Sequence, residues 1–132
     1  MEYDKVWRDG KYPVTVLIAR TKFIKEHPDL VEKFVRAHVE LTEEIKNNND
    51  LAKKYVNKEI KTLTGKELSS SIIDFSFKRL LITNNLNKEA IKEMEDFMEK
   101  LDIIKGKQNI DGIFNFSILN KIMKEKGYKA IE

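Results

Sequence analysis

The first strongly apolar part of the chain is the run Val14–Ala19. β-branched residues dominate this run, and apolar residues occupy both of its alternating faces, as is typical of an interior strand of a parallel sheet. Pro13 fits the first position of such a strand, where its missing N–H group does least harm. The pattern therefore predicts a strand over residues 14–19, preceded by an irregular lead-in or hinge segment, residues 1–12.

After this run, apolar residues recur at steps of three and four, which is the period of an amphipathic helix. The pattern predicts five helices: one from Pro28 to about Asn47, one closing near Gly65, one over about 67–79, one from the Asn87 cap to about Ile104, and one from Ser117 to about Gly127. Residues 81–83 are either a short second strand or an extended link. The prediction is thus one good strand, one doubtful strand and five helices.

This set of elements leaves the predicted strand without neighbouring strands to hydrogen-bond with. A buried strand needs hydrogen-bonded neighbours, because each buried unpaired N–H or C=O group costs about 1–3 kcal/mol. The chain offers at most one weak partner for residues 14–19, near Leu81. We therefore expect most of the sheet to lie elsewhere, in another segment of a longer protein or in a second copy of this chain.

Composition narrows the class of protein. The 132 residues suit one domain, with 41% apolar and 36% charged residues, and the absence of cysteine excludes disulfides and thiolate metal sites. No apolar run approaches the roughly 20 residues that cross a bilayer, and the amino terminus does not resemble a signal peptide. The net charge of +3 is small, and no aromatic platform is interleaved with the scattered lysines of residues 46–66. We therefore predict no nucleic-acid partner.

No group of residues points to catalysis, a metal or a cofactor. His27 and His38 are the only histidines, and their separation matches no zinc-site spacing. Gly65-Lys66 lacks the remainder of a phosphate-binding loop, which favours a helix-end turn. The serines at 69–71 lack the glycines of a nucleophile elbow. The carboxylates over residues 89–99 alternate with lysines, which is typical of a solvated helix face. We therefore expect no enzyme activity and no cofactor.

The order of segments nevertheless resembles a known family. The segments that carry this resemblance are 7–13, the run 14–19, 20–23, 26–31, 34–40, 63–68, 114–120 and 125–127. Together they are similar to the later half of the substrate-binding proteins of ABC importers, of the aliphatic sulfonate, nitrate and taurine type. The resemblance covers nearly all of residues 7–128.

The resemblance implies a fold and a role. Proteins of this family are two-lobed α/β structures of the periplasmic-binding-protein type II class, and they close on a ligand by a hinge. This chain would be an incomplete fold of that class, mostly helical with one or two strands, in which residues 13–132 form the carboxy-terminal helical part of a lobe. The parent protein would bind a small organic anion outside the membrane for delivery to a membrane ABC permease. The nearest candidates for ligand contacts here are Tyr12, Pro13 and Thr15.

A second interpretation needs no parent protein. In it, the chain is a stand-alone helical interaction module that forms a homo-oligomer through the strand at residues 14–19. The number of copies in solution separates the two interpretations, because shared strands require at least a dimer.

Overall fold

The computed structural model describes residues 11–132, and over that range the protein is helical, without a strand. The helices are α1 (Thr21–Glu26), α2 (Pro28–Asn47), α3 (Asn49–Thr64), α4 (Ser70–Arg79), α5 (Lys88–Lys100) and α6 (Ser117–Glu125), with a 3-10 helix at Ile110–Ile113 between α5 and α6. Along the described residues, no helix has the length and apolar character needed to cross a membrane.

The predicted α/β fold is wrong. Residues 14–19 form neither helix nor strand, and all six are exposed. Residues 81–83 are a link between α4 and α5 and not a second strand. β propensity records how well a side chain suits a pleated, half-buried surface, and such a surface exists only where a neighbouring strand supplies hydrogen bonds. Within residues 11–132 no such neighbour is present, so the apolar run stays irregular.

Two predicted helix boundaries, at Gly65 and Asn87, are confirmed by their caps, and a third cap corrects a predicted start. Gly65 follows α3 in the left-handed region, with φ of 77°, and its N–H group donates to the carbonyl of Lys61. α4 starts at Ser70 and not near residue 67 as predicted, because the Ser69 hydroxyl accepts from the N–H group of Ile72 and caps the helix there. The Asn87 side chain does the same for Ala90 at the start of α5. Each cap satisfies a backbone group that a helix end leaves unpaired.

α5 ends earlier than its apolar pattern predicts. The helix stops at Lys100, and Asp102 adopts a positive φ of 54°. The N–H group of Asp102 donates to the Glu99 carbonyl, and that of Ile103 donates to the Met98 carbonyl. These two bonds form a Schellman motif with aspartate in the position usually held by glycine. The predicted inward positions at Leu101 and Ile104 therefore lie beyond the helix.

The chain divides into two compact units, each with a small buried core. The described residues of the first unit are 11–32 and 85–132, and the second unit is residues 33–84. The buried residues of the first unit are Ala90, Ile122 and Met123. Those of the second are Val39, Thr42 and Ile73. Most of the predicted lead-in, residues 1–12, lies outside the described residues.

Candidate interaction surface

The most exposed apolar segment is the run that was predicted to be a strand. Val14 and Leu17 are 68% and 55% exposed, and Ile18 is 84% exposed. Among the described residues, no hydrogen bond to the backbone of residues 14–19 is found. These side chains and peptide groups therefore lie open to solvent, where a second polypeptide can reach both. We call residues 14–19 the open segment.

Both ends of the open segment are fixed by local structure. On one side, the Asn87 side chain at the start of α5 donates to the carbonyl of Lys11 over 3.2 Å. On the other side, Arg20 precedes the first residue of α1 and its carbonyl accepts from the N–H group of Ile24. The open segment therefore lies between two residues, Lys11 and Arg20, whose carbonyls are hydrogen-bonded.

The three predicted ligand contacts lie at the start of this region. Tyr12 and Pro13 are half-buried, whereas Thr15 is exposed. They are neighbours in sequence, and their assignment as ligand contacts stays a prediction. A shallow depression elsewhere, where α2 meets α3, is lined by the consecutive residues 46–51. Because its lining residues are consecutive, this depression brings together no side chains that are distant in the sequence.

The two histidines have separate surroundings. His27 caps the end of α1, where its N–H group donates to the Phe23 carbonyl and its ring lies 5.0 Å from the ring of Phe23. His38 is exposed on α2. Across the part of the chain that the structure describes, no three histidine, aspartate or glutamate side chains are grouped as metal ligands would be.

Charged side chains of α5 pair with residues of the loop that follows the helix. Lys92 lies 3.0 Å from Asp111, Asp96 lies 3.3 Å from Lys107, and Glu95 accepts from the backbone N–H group of Gln108. The hydrogen bond with Lys92 lowers the pKa of Asp111, and the same bond raises the pKa of Lys92. The face predicted to be merely solvated therefore fastens residues 107–111 to the helix.

A similar group of charges joins two helices of the second unit. The Lys53 ammonium on α3 lies 2.9 Å from Asp74 on α4 and 3.3 Å from Asp50. The hydrogen bond with Asp74 raises the pKa of Lys53, while Lys53 lowers the pKa of Asp74. Asp50 is exposed and Lys53 and Asp74 are partly exposed, so their pairing orients the helices and contributes little to stability.

Two asparagines hold distant backbone segments, and sequence analysis missed both. The Asn57 side chain donates to the Leu68 carbonyl and accepts from the Leu68 N–H group, both at 2.9 Å. Asn120 makes the same pair of bonds with Ile131, at 2.9 and 2.8 Å. The available signal was the residue type itself, because asparagine is a poor choice for a helix interior unless its side chain has a partner.

The chemical candidates and the exposed apolar residues are distributed differently over the described residues. The predicted chemical candidates are spread over caps, ion pairs and exposed helix faces, while the apolar residues of the open segment lie together. No protein-family model, curated protein or solved structure matches the chain.

Proposed function

We propose that this chain is a binding module completed by further polypeptide, namely the carboxy-terminal part of a solute-binding protein of an ABC importer. The parent protein binds a small organic anion such as an aliphatic sulfonate, outside the membrane, and delivers it to a membrane permease. The exposure of the open segment carries the proposal, because uncovered apolar side chains beside uncovered peptide groups mark a surface that another segment covers. The ordered resemblance over residues 7–128 supports the choice of this family for the proposal.

The role requires binding and no covalent chemistry. In the family that the chain resembles, ligand contacts lie largely in segments that precede the resemblance, at helix amino termini that receive the anion. These 132 residues alone are therefore expected to bind the anion weakly or not at all. Calorimetry with alkanesulfonates, taurine, nitrate and pyrimidine ligands tests this, and micromolar binding by this chain alone contradicts it.

Supplying the missing polypeptide provides the positive test. We expect the reading frame to continue upstream of this chain and to encode a signal segment and a first lobe. The polypeptide encoded upstream is then produced separately and mixed with this chain. Mixing should protect the amides of residues 14–19 from hydrogen exchange and should generate anion binding. An upstream sequence without such a frame contradicts the proposal.

A matched pair of variants links binding to the open segment. Ile18→Lys and Leu63→Lys each place a charge at a site that is 84% or 82% exposed, but only the first lies in the open segment. Ile18→Lys should abolish complementation, and Leu63→Lys should leave it intact. Thr15→Val, which keeps the shape of the side chain and removes its hydroxyl, then tests the proposed contact with the anion.

The same exposure favours a second candidate function, a stand-alone module that self-associates through residues 14–19. Here the occupant of the open segment is a second copy, and the backbone groups pair between copies. Size-exclusion chromatography with light scattering should then show a dimer or larger species that Ile18→Lys converts to monomer. A wild-type monomer at high concentration contradicts this candidate.

A further inference from the structure

Residues 107–114 lie along one face of α5 and run in the opposite direction to it. The helix contributes Lys88, Lys92, Glu95 and Asp96, and their partners, in the same order, are Phe114, Asp111, Gln108 and Lys107. Successive contacts along the helix thus meet successively earlier residues of the loop. We call residues 107–114 the α5 strap.

The α5 strap contains a pair of residues that is chemically unstable in proteins. Aspartate followed by glycine occurs twice in the sequence, at 9–10 and at 111–112, and the described residues include the second pair. Glycine has no side chain to shield its backbone nitrogen, so this nitrogen can attack the carboxyl carbon of the preceding aspartate. Asparagine followed by glycine, which reacts in the same way, does not occur in the sequence. Asp111–Gly112 is therefore the described pair most prone to this reaction.

The surroundings of this pair leave room for the reaction. The Asp111 side chain is 68% exposed, and a Cβ atom added at Gly112 would meet no other atom within 4 Å. Both residues belong to the 3-10 helix Ile110–Ile113, which buries no residue and has no side-chain cap at Asn109. Short exposed segments of this kind open most readily by local unfolding. Water and the reacting groups therefore have access to one another.

Two features of the fold oppose the reaction. A five-membered ring at Asp111 needs a backbone ψ far from the helical value, so the 3-10 helix must open first. In addition, Lys92 lies 3.0 Å from the Asp111 carboxylate. Its hydrogen bond and its charge, together with the charge of Lys88, lower the pKa of Asp111. Fewer Asp111 side chains are then protonated at a given pH, and a carboxylate is a poorer target for attack than a carboxylic acid.

We propose that Asp111–Gly112 is a site of spontaneous isoaspartate formation, which the 3-10 helix and Lys92 slow. This modification site lies outside the proposed function, because it uses no residue of the open segment and needs no ligand. The chemistry requires water and no other reactant.

The reaction has two balanced steps. In the first, the Gly112 nitrogen bonds to the carboxyl carbon of Asp111, the C–OH bond of that carboxyl breaks, and one water leaves with the amide proton. In the second, water adds to one of the two carbonyls of the cyclic imide and the bond from that carbonyl to nitrogen breaks. Opening at the former side-chain carbonyl restores aspartate. Opening at the former main-chain carbonyl gives isoaspartate, which has the same mass.

Isomerisation should loosen the α5 strap. The main chain then passes through the former side chain and is longer by one carbon, while the free carboxylate is attached directly to Cα. This geometry no longer matches the Lys92 contact or the 3.4 Å hydrogen bond from the Phe114 N–H group to the Asp111 carbonyl. The strap thereby loses a contact between those at its two ends.

Incubation of the folded protein at about pH 5, where part of the aspartate is protonated, tests the proposal. Trypsin then releases residues 108–121, in which Asp111 is the sole aspartate, and chromatography with fragmentation separates the two forms of equal mass. Isoaspartate should accumulate at Asp111, more slowly than in the isolated peptide 108–121. Folded protein that stays unmodified while the peptide reacts overturns the proposal. Equal rates in the two samples overturn the restraint by the fold.

A matched set of variants tests the role of Lys92. Lys92→Met should speed isomerisation by about two- to fivefold, the range that an exposed ion pair supports, whereas Lys92→Arg should keep the wild-type rate. Lys100→Met removes the same charge from an exposed position of α5 and should have no effect. Equal rates in Lys92→Met and Lys100→Met overturn the assignment of Lys92.

Gly112→Ala provides the control for the chemistry itself. The added methyl group meets no atom within 4 Å, so the fold should be retained, but it hinders attack by the backbone nitrogen. Isomerisation should slow severalfold, and an unchanged rate overturns the proposed route. Hydrogen exchange reads out the structural consequence, since the Gln108 amide donates to Glu95. This amide should exchange faster in the isomerised protein than in Gly112→Ala, and equal protection overturns the loosening of the strap.

Discussion

Replacing Asn57 by alanine removes both hydrogen bonds between this side chain and the backbone of Leu68. Each bond contributes about 0.5–1.5 kcal/mol to stability, so the loss is about 1–3 kcal/mol. Alanine is the better helix former by about 0.5–0.7 kcal/mol, which offsets part of that loss. We therefore expect Asn57→Ala to lower the free energy of unfolding of the second unit by about 0.3–2.5 kcal/mol.

Urea denaturation followed by far-ultraviolet circular dichroism measures this change, and hydrogen exchange locates it. Lys58→Ala, at the neighbouring exposed position of α3, is the control and should be nearly neutral. The Leu68 amide should exchange faster in Asn57→Ala, and Asn57→Asp should protect it less than asparagine does, because aspartate keeps the acceptor oxygen but sets its second oxygen against the Leu68 carbonyl. A protein stabilised by Asn57→Ala would refute the reasoning, because helix propensity would then outweigh both bonds.

Three further changes test other parts of the fold. Ile122→Ala, at a side chain with no exposed area, should cost about 2–5 kcal/mol by urea denaturation, and a cost below about 1 kcal/mol would contradict its burial. Gly65→Ala, at a φ of 77°, should destabilise by about 1–2 kcal/mol, whereas Gly112→Ala, where φ is ordinary and no atom is close, should not; equal effects would argue against backbone conformation as the cause. Lys53 lowers the pKa of Asp74 below its ordinary value of 3.8, so the pair stabilises the fold above that pH and the gain disappears as the pH falls through the lower folded-state pKa. Asp74→Asn should flatten this acid-side loss in a pH series of denaturation curves, and an unchanged slope would show that the pair contributes nothing.

Helices were predictable where the sequence marks both the apolar face of the helix and the residue at which it begins or ends. α2 and α3 have long periodic patterns, and Gly65 and Asn87 mark ends through their own conformational or hydrogen-bonding properties. α1 was missed because it spans only Thr21–Glu26, buries no residue and has no side-chain cap. The end of α5 was misplaced because Asp102, and not a glycine, takes the positive φ.

The candidate surface was predictable only in part. The apolar, β-branched composition of residues 14–19 was evident from the sequence, and so was the lack of a partner strand. A strand nevertheless forms only where two segments exchange hydrogen bonds, and the described residues supply one such segment. The side-chain hydrogen bonds of Asn57 and Asn120 and the Lys53–Asp74 pair could not be predicted. They join residues 11 or more positions apart, and the approach of such residues depends on the path of the chain between them. Sequence periodicity identifies the face of a helix but not the neighbour that meets it.

The open segment also determines how this protein must be handled. Six consecutive exposed and uncharged residues, four of them β-branched, are the kind of window that stacks in register into cross-β fibrils. Lys11 and Arg20 flank this window and act as gatekeepers, because stacking the segments brings these like charges into a column. Salt screens that repulsion, so fibril formation should begin sooner in concentrated, high-salt samples and should start at this segment.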